Sequence, residues 1–231
     1  VFGPKIFKEL NGIFAFAIYE NNKLTIVRDH VGVKPLFYYF DGSQFVFSSE
    51  IKGIFAYGIT PRLNKSSWCE IIGLGPAHTP GNGVFENIHE VLSGHYLTIN
   101  LTPDKKIILE DYCYWKLRSK IHKDDYNATV MHTNFLIEDS IKNQMVSDIP
   151  ICTFLSGGLD SSLVSSIVSK HLGKKSLATY SFDFVDNNIN FKANSFQTTR
   201  DRPYVDIMKD YLHSKHHYLE CNNKNQIECL F

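Results

Sequence analysis

Cysteine is scarce in this sequence, and no two cysteines have the spacing of a known paired motif. The 231 residues include 5 cysteines, an odd number, and no C-x-x-C motif. The 10 histidines form no H-E-x-x-H motif. This pattern excludes a disulfide framework and the common zinc motifs, and it is typical of reduced thiols in a cytoplasmic protein. The cysteines are Cys69, Cys113, Cys152, Cys221 and Cys229.

The sequence also has no net charge and no long apolar run. It contains 24 Lys and Arg against 24 Asp and Glu, so it offers no overall positive field to nucleic acid. No apolar run reaches the roughly 18 residues of a membrane-spanning helix. The composition, with 43% hydrophobic and 21% charged residues, is that of a folded globular protein. We therefore expect a cytoplasmic protein without a nucleic-acid or membrane partner.

The first half of the sequence predicts an α+β fold built on antiparallel strands. Short apolar and aromatic runs are separated by turn residues, and Asp41-Gly42 is the dipeptide preferred in two-residue hairpin turns. A Ser-Ser-Glu sequence before residue 51 is typical of a helix start. The predicted hairpins are 13–19 with 24–27, 36–40 with 44–48, and 94–101 with 106–109, and the predicted helix is 51–57.

The pattern changes near residue 120 to alternating strands and helices. This alternation predicts an α/β fold with a parallel sheet. We expect one domain over residues 1–120 and a second over residues 121–231. The predicted elements of the second are a helix at 128–146, a strand at 149–155, a glycine loop at 156–162, a helix at 163–172 that ends at Gly173, a strand at 176–184, a helix at 201–212 and a strand at 216–219.

One octet between a strand and a helix carries the most chemical information. In Leu155-Ser156-Gly157-Gly158-Leu159-Asp160-Ser161-Ser162, adjacent glycines allow a tight turn, and the serines open a helix. Free N–H groups, hydroxyls and the helix dipole at such a place favour phosphate oxygens. Asp160 has the wrong sign for a bare phosphate, which indicates a bridging cation, Mg²⁺ on a nucleotide.

Other glycine motifs do not fit this octet. No Lys follows the glycines as in G-x-x-x-x-G-K-[ST], and neither G-x-G-x-x-G nor the nucleophile motif G-x-S-x-G occurs there. An ordinary Ser/Gly-rich turn is the simpler interpretation for a lone pair of glycines. The complete octet after an apolar strand and before a helix favours phosphate binding instead.

With its preceding strand, the octet resembles the PP-loop of the adenine nucleotide α-hydrolase-like ATP pyrophosphatases, and the wider sequence resembles the glutamine-hydrolysing asparagine synthetase family. The matching segments span nearly the whole chain. They are Leu10–Tyr19 (L-x-G-x-F-A-F-A-x-Y), Arg28–Tyr38 (R-D-x-x-G-x-x-P-L-Y), Ser48–Lys52 (S-E-x-K), Tyr180–Asp183 and Phe191–Asn194.

The resemblance implies two activities. An N-terminal-nucleophile glutaminase would release ammonia from glutamine, and a synthetase would convert aspartate and ATP to β-aspartyl-AMP and pyrophosphate, from which ammonia gives asparagine and AMP. ATP would lie on Leu155, the loop residues Ser156 to Ser162, and Phe182, with Mg²⁺ at Asp160. The small-molecule partners would be aspartate, glutamine and ATP, and a homodimer stays an open alternative.

The sequence departs from the family at the positions of both reactions. The family's nucleophile is an N-terminal cysteine, whereas position 1 is Val and the first cysteine is Cys69. The family's later S-G-E-G-[AS]-D-E motif does not occur. We therefore expect a fragment with no complete catalytic set. Two alternatives stay open, namely an ATP-dependent amidotransferase acting on another carboxylate and a non-catalytic truncated product.

Several further residues permit a functional and a structural interpretation. For Arg28-Asp29 a structural ion pair is favoured over catalysis, and for His216-His217 a structural role is favoured because neighbouring strand residues face opposite sides. Cys152 is expected to be a small buried apolar residue rather than a nucleophile. The stretch 192–202 is either a loop near the nucleotide or a plain surface loop.

Overall fold

The computed structural model describes residues 3–75, 77–173, 177–195, 197–222, 224 and 228. The chain divides into two compact units, Val1–Ile121 and His122–Phe231. No helix within the described residues is long and apolar enough to cross a membrane. Cys229 and Ser176, the first residue of a predicted strand, lie outside the described part of the chain.

The described part of the first unit is built mainly from antiparallel strands. One sheet has the strand order β1-β2-β6-β7 and another has the order β4-β3-β5, and every pairing is antiparallel. A 3₁₀ helix at Gly3–Lys8 precedes them. The elements are β1 (Ala15–Glu20), β2 (Lys23–Arg28), β3 (Phe37–Phe40), β4 (Phe45–Ser48), α1 (Ile51–Ala56), α2 (Lys65–Leu74), β5 (Ile88–Glu90), β6 (His95–Leu101) and β7 (Ile107–Cys113).

All three predicted hairpins are present, but the turn at Asp41 differs from the prediction. Phe40 pairs with Phe45, so the β3–β4 loop has four residues instead of the two of an Asp-Gly turn. One carboxylate oxygen of Asp41 accepts hydrogen bonds from the backbone N–H groups of Ser43 and Gln44. These bonds, with others from the Ser43 and Tyr39 hydroxyls, lower the pKa of Asp41 to about 2. The Asp41 side chain thus forms an Asx turn, while Gly42 supplies the left-handed backbone conformation, with φ +92°.

Buried charge in the first unit is paired differently from the prediction. Arg28 bridges to Glu90, 2.7 Å from nitrogen to oxygen, rather than to its neighbour Asp29. The Asp29 carboxylate instead accepts hydrogen bonds from the backbone N–H groups of Val31, Val33 and Lys34. Arg28 and Asp29 thus have the structural role that was expected, but each has partners other than its neighbour. The reason is that the loop after β2 folds back over both side chains. The adjacent core contains Ile26, Leu36, Val91, Leu97 and Ile99.

The second unit is an α/β structure with a parallel sheet, as the alternating pattern predicts. Its sheet has the order β10-β9-β8, and both pairings are parallel. The antiparallel-then-parallel order of the chain is confirmed. The elements are α3 (Tyr126–Asn143), β8 (Cys152–Phe154), α4 (Leu159–Leu172), β9 (Ala178–Phe184), α5 (Asn187–Asn190), α6 (Arg202–Leu212) and β10 (Lys215–Cys221).

The helices α4 and α6 pack on one face of this sheet. The Thr153 hydroxyl of β8 lies 2.8 Å from the Ser165 hydroxyl of α4, and both side chains are buried. Residues on the other face are exposed or half-buried, and Phe154 retains 79% of its accessible surface. Cys152 shares that face, so the prediction that it is buried is wrong. The helix side of the sheet has a core of Leu155, Val205 and Leu212.

Candidate functional site

The octet forms the connection between β8 and α4. Leu155 directly follows β8, and its N–H donates to the carbonyl of Tyr180 at 2.8 Å. Helix α4 begins at Leu159, four residues earlier than predicted, with Gly158 as N-cap. The loop proper therefore consists of only residues 156–158. The last four residues of the octet form the first turn of the helix, where the backbone N–H groups of Leu159, Asp160 and Ser161 precede the first intrahelical hydrogen bond.

Gly157 is required by geometry, whereas Gly158 is not. Gly157 has φ +78°, and a Cβ placed there would lie 2.6 Å from Cβ of Tyr204 and 2.9 Å from the backbone nitrogen of Val205. The loop thus lies directly against the start of α6. Gly158 has φ −73°, and its nearest neighbour to an added Cβ is Ser156 Oγ at 3.5 Å. An added side chain is therefore excluded at the first glycine and accommodated at the second.

The Ser161 hydroxyl holds the loop against the helix. It accepts from the N–H of Ser156 at 3.2 Å, lies 3.0 Å from the Ser156 hydroxyl and donates to the carbonyl of Gly158 at 3.2 Å. The next backbone bond, from Ser162 N–H to Gly158 carbonyl, starts the helical ladder. Two of the three predicted phosphate-binding hydroxyls are therefore already bonded to each other. A phosphate oxygen can only accept, and each hydroxyl has one hydrogen. Ser161 would therefore bind a phosphate oxygen by turning its hydrogen away from the Gly158 carbonyl, and Ser156 by turning its hydrogen away from Ser161.

Asp160 and Leu159 are on the outside of this first turn. Leu159 is 91% exposed. Asp160 is also exposed, and it has no ion-pair partner among the residues that the structure describes. An acidic side chain in the first turn of a helix interacts favourably with the helix dipole, which is a sufficient structural reason for its presence. Its exposure also leaves the carboxylate accessible to a cation.

A cavity of about 440 Å³ opens beside the loop at the carboxyl ends of β8 and β9. Leu155, Ser156 and Phe182 line it together with residues of α6, while Gly157 to Ser162 are not part of its lining. Leu155 contributes from a buried position, 1% exposed, whereas Phe182 is 56% exposed. Ligands of open α/β sheets bind at this edge. Much of the wall is aromatic: Phe154, Tyr180, Phe182, Phe184, Phe191 and Tyr218.

A charged cluster lies on the α6 side of the cavity, and sequence reasoning named only its Arg202, as the last residue of the stretch 192–202. Arg202 is bound to Glu220 at 2.5 Å, and its guanidinium carbon lies 4.0 Å from the ring centroid of Tyr218. The Tyr218 hydroxyl donates to Asp206. These residues come from a helix and a strand that lie far from the octet in sequence, so no local motif marks them. Gln197 and Asp201 also line the cavity, so part of the stretch 192–202 does lie beside it.

The neighbouring histidines face opposite sides of the sheet, as predicted. His216 lies on the helix side with its ring nitrogens 2.8 Å from Thr179 Oγ1 and 2.9 Å from Ser181 Oγ. His217 stacks on the ring of Tyr180 on the other side. Within the described residues, no group of three or more His, Cys, Asp or Glu side chains is arranged to hold a metal ion.

Comparisons with known families match both halves of the chain. The family described as Glutamine amidotransferase domain matches residues 1–115, and the family described as Asparagine synthase matches residues 132–230. A protein of Bacillus subtilis, Asparagine synthetase [glutamine-hydrolyzing] 3, is 41% identical over 96% of this chain and 36% of its own length. A protein of Methanocaldococcus jannaschii, Putative asparagine synthetase [glutamine-hydrolyzing] 2, is 34% identical over 91% of this chain and 39% of its own length. The chain thus spans little more than a third of either relative.

Proposed function

Because this chain belongs to the glutamine-hydrolysing asparagine synthetase family, we propose that its second unit binds ATP for the amidation of aspartate. Residues 121–231 would be the first part of a PP-loop synthetase domain of the adenine nucleotide α-hydrolase-like fold. Residues 1–120 would belong to a glutaminase domain of the N-terminal-nucleophile fold. The ammonia that the second unit's reaction consumes would come from glutamine.

One observation supports this proposal above the others. The loop of residues 156–158 is held by the Ser161 hydroxyl, begins a 14-residue helix and adjoins a cavity with an aromatic wall. Phosphate oxygens suit the N–H groups of the first helical turn, and a planar base suits aromatic side chains. The arrangement therefore offers complementary surfaces to the two ends of a nucleotide. The residues that we assign to ATP are Leu155, Ser156, Gly157, Gly158, Leu159, Asp160, Ser161, Ser162 and Phe182.

The reaction that we assign to the complete protein proceeds in two displacements. A side-chain carboxylate oxygen of aspartate attacks the α-phosphorus of ATP, and the bond to the β-phosphate bridging oxygen breaks, which releases pyrophosphate. Ammonia then attacks the acyl carbon of β-aspartyl-AMP, AMP leaves with the bonding electron pair, and the nitrogen loses one proton to solvent to give the amide. Backbone N–H groups at the start of α4 would stabilise the negative charge that develops on the leaving pyrophosphate.

The residues present fit a magnesium ion that is bound together with the nucleotide. Asp160 offers an exposed carboxylate beside the serine hydroxyls, and hard oxygen ligands are those that Mg²⁺ prefers. Mg²⁺ is usually bound through one or two carboxylates plus phosphate oxygens, which suits a site with a single acidic side chain. When bound, the ion would neutralise charge on the pyrophosphate group.

Calorimetric titration with ATP and Mg²⁺ tests the proposal directly. We expect saturable binding to the 231-residue chain and an affinity lowered at least about tenfold by Asp160→Asn, since a carboxylate–cation contact is lost. Asp148→Asn is the matched control, because Asp148 is an exposed acid outside the octet. Absence of binding, or equal loss in both variants, would contradict the proposal.

The identity of the acid requires a chain that contains the whole synthetase domain. With such a protein, exchange of labelled pyrophosphate into ATP should depend on added aspartate and be absent with glutamate. Equal exchange with another carboxylic acid would instead favour the alternative that the enzyme amidates a different substrate.

A further inference from the structure

A chain of hydrogen-bonded side chains runs from half-buried Ser214 through buried Thr179 to the nucleotide cavity. The Ser214 hydroxyl lies 2.8 Å from Thr179 Oγ1, which lies 2.8 Å from Nδ1 of His216. Nε2 of the same ring lies 2.9 Å from Ser181 Oγ. Thr179 is fully buried and Ser181 is 6% exposed, yet Ser181 is one of the residues that line the cavity. The chain therefore ends at the ligand side.

The hydroxyl at the end of this chain cannot rotate freely. A neutral imidazole has one donor nitrogen and one acceptor nitrogen, so His216 either accepts the Ser181 hydrogen or donates to the Ser181 oxygen. In the first case Ser181 presents only lone pairs to the cavity, and in the second its hydrogen is left for a ligand. Burial, helped by the positive charges of Lys209 and Arg202 and opposed by Asp206, lowers the pKa of His216 and so maintains the neutral ring.

Ser181 faces the same side of the sheet as Tyr218, whose aromatic ring lines the cavity and packs edge-on against His216 at 4.3 Å. Tyr180 and Phe182 also line the cavity, but from the opposite face of the strand. The Tyr218 hydroxyl is hydrogen-bonded to Asp206, and Arg202 forms an ion pair with Glu220. Asp183 accepts from Phe184 N–H and from the Asn187 amide. Ser181 is thus a buried polar group with hydrogen-bonding capacity left for the ligand.

We propose that His216 is a positioning residue that fixes the direction of the Ser181 hydroxyl and thereby makes the cavity select a 6-amino purine over a 6-oxo purine. The proposal rests on the ATP site proposed above. An adenine ring has a donor amine at C6 and an acceptor at N1, whereas hypoxanthine has an acceptor at C6 and a donor at N1. When Nδ1 of His216 carries the ring proton and Nε2 accepts the Ser181 hydrogen, the Ser181 oxygen presents only lone pairs, which accept from the 6-amino group of adenine and oppose the 6-oxo group of hypoxanthine. A freely rotating hydroxyl matches both.

Titrations of ATP and of inosine triphosphate (ITP) into the 231-residue chain test this role. We expect the wild-type chain to bind ATP at least about tenfold more tightly than ITP, a ratio that one opposed hydrogen bond can supply. His216→Leu should bring the ratio close to one, as should Ser181→Ala. His216→Gln, which keeps a hydrogen-bonding group near Ser181, should restore part of the ratio.

His217→Leu is the matched control, because His217 is the adjacent histidine on the opposite side of the sheet. A change in its packing against Tyr180 would alter the affinities for ATP and ITP together and leave their ratio unchanged. Far-ultraviolet circular dichroism shows that each variant is folded. If the wild-type chain binds ATP and His216→Leu keeps the ratio, the positioning role is wrong while the ATP site stands. If the wild-type chain binds neither nucleotide, both proposals fall.

Discussion

At the scale of single residues, the two glycines of the loop have different functions. Gly157 lies against Tyr204 and Val205 in a left-handed backbone conformation, while Gly158 has an ordinary extended one. The sequence shows two identical residues side by side and cannot distinguish them. The distinction arises from α6, which begins more than 40 residues later and fills the space beside only the first glycine.

Gly157→Ala should therefore lower the free energy of unfolding of the second unit by about 2 kcal/mol or more, from backbone strain and steric conflict. Gly158→Ala is the control and should change it by less than about 1 kcal/mol. Urea denaturation of both variants measures the difference. Equal effects from the two substitutions would show that the contact with α6 is not tight.

Asp29 gives a pH-dependent prediction in the first unit. Burial by itself would raise the pKa of Asp29, but hydrogen bonds from the backbone N–H groups of Lys34, Val33 and Val31 outweigh it and hold the pKa below its ordinary value of 3.8. A carboxyl group with a lowered pKa stabilises the folded state above its unfolded pKa. That stabilisation is lost as the pH falls below about 4.

We expect Asp29→Asn to destabilise the first unit at pH 7 by about 1–3 kcal/mol, since an amide replaces one acceptor oxygen with a donor. The variant should also lose less stability than the wild type as the pH is lowered from about 5 to about 3, the range in which the Asp29 carboxylate becomes protonated. Denaturation at several pH values measures both effects. Glu9→Gln is the control, and the same pH slope in the Asp29 variant and the wild type would contradict the assignment.

At the scale of elements, the parallel sheet and its helices are predictable, but their ends are not. The octet reads as a loop over 156–162 because glycine and serine are poor helix formers, yet α4 starts at Leu159. Tertiary contact overrides that preference, since buried Ser165 and Val168 fix the helix against the sheet. Strand β5 is not predicted from the sequence, because three residues are too few to show an alternating pattern. It is defined by its pairing with β3.

The bond between Thr153 and Ser165 joins β8 to α4 behind the loop. Thr153→Val should destabilise the second unit by about 1–3 kcal/mol, because it leaves the buried Ser165 hydroxyl without its partner. The double variant Thr153→Val, Ser165→Ala should recover part of that loss. A double-mutant cycle by urea denaturation measures the coupling, and strictly additive effects would mean that the pair does not position α4.

At the scale of the whole molecule, sequence reasoning yields the order of the two architectures and the location of the octet, because both depend on local patterns. It yields only part of the cavity wall, namely Leu155, Ser156 and Phe182, which the family resemblance implies. Tyr218 and Arg202 enter the site from β10 and α6, which only the parallel register of the sheet brings beside Phe182. The exposure of Cys152 was also not predictable from the sequence. The pattern of a strand does not reveal which face of the sheet the helices will cover.

The central claim is that the start of α4 holds the phosphates of ATP. The most direct measurement is a titration of the ¹⁵N-labelled chain with ATP and Mg²⁺, followed by the NMR shifts of assigned backbone amides. We predict the largest shifts at Gly157, Gly158, Leu159, Asp160 and Ser161, with smaller shifts at Phe182. Saturable binding whose shifts lie elsewhere and leave these amides unchanged would contradict the account.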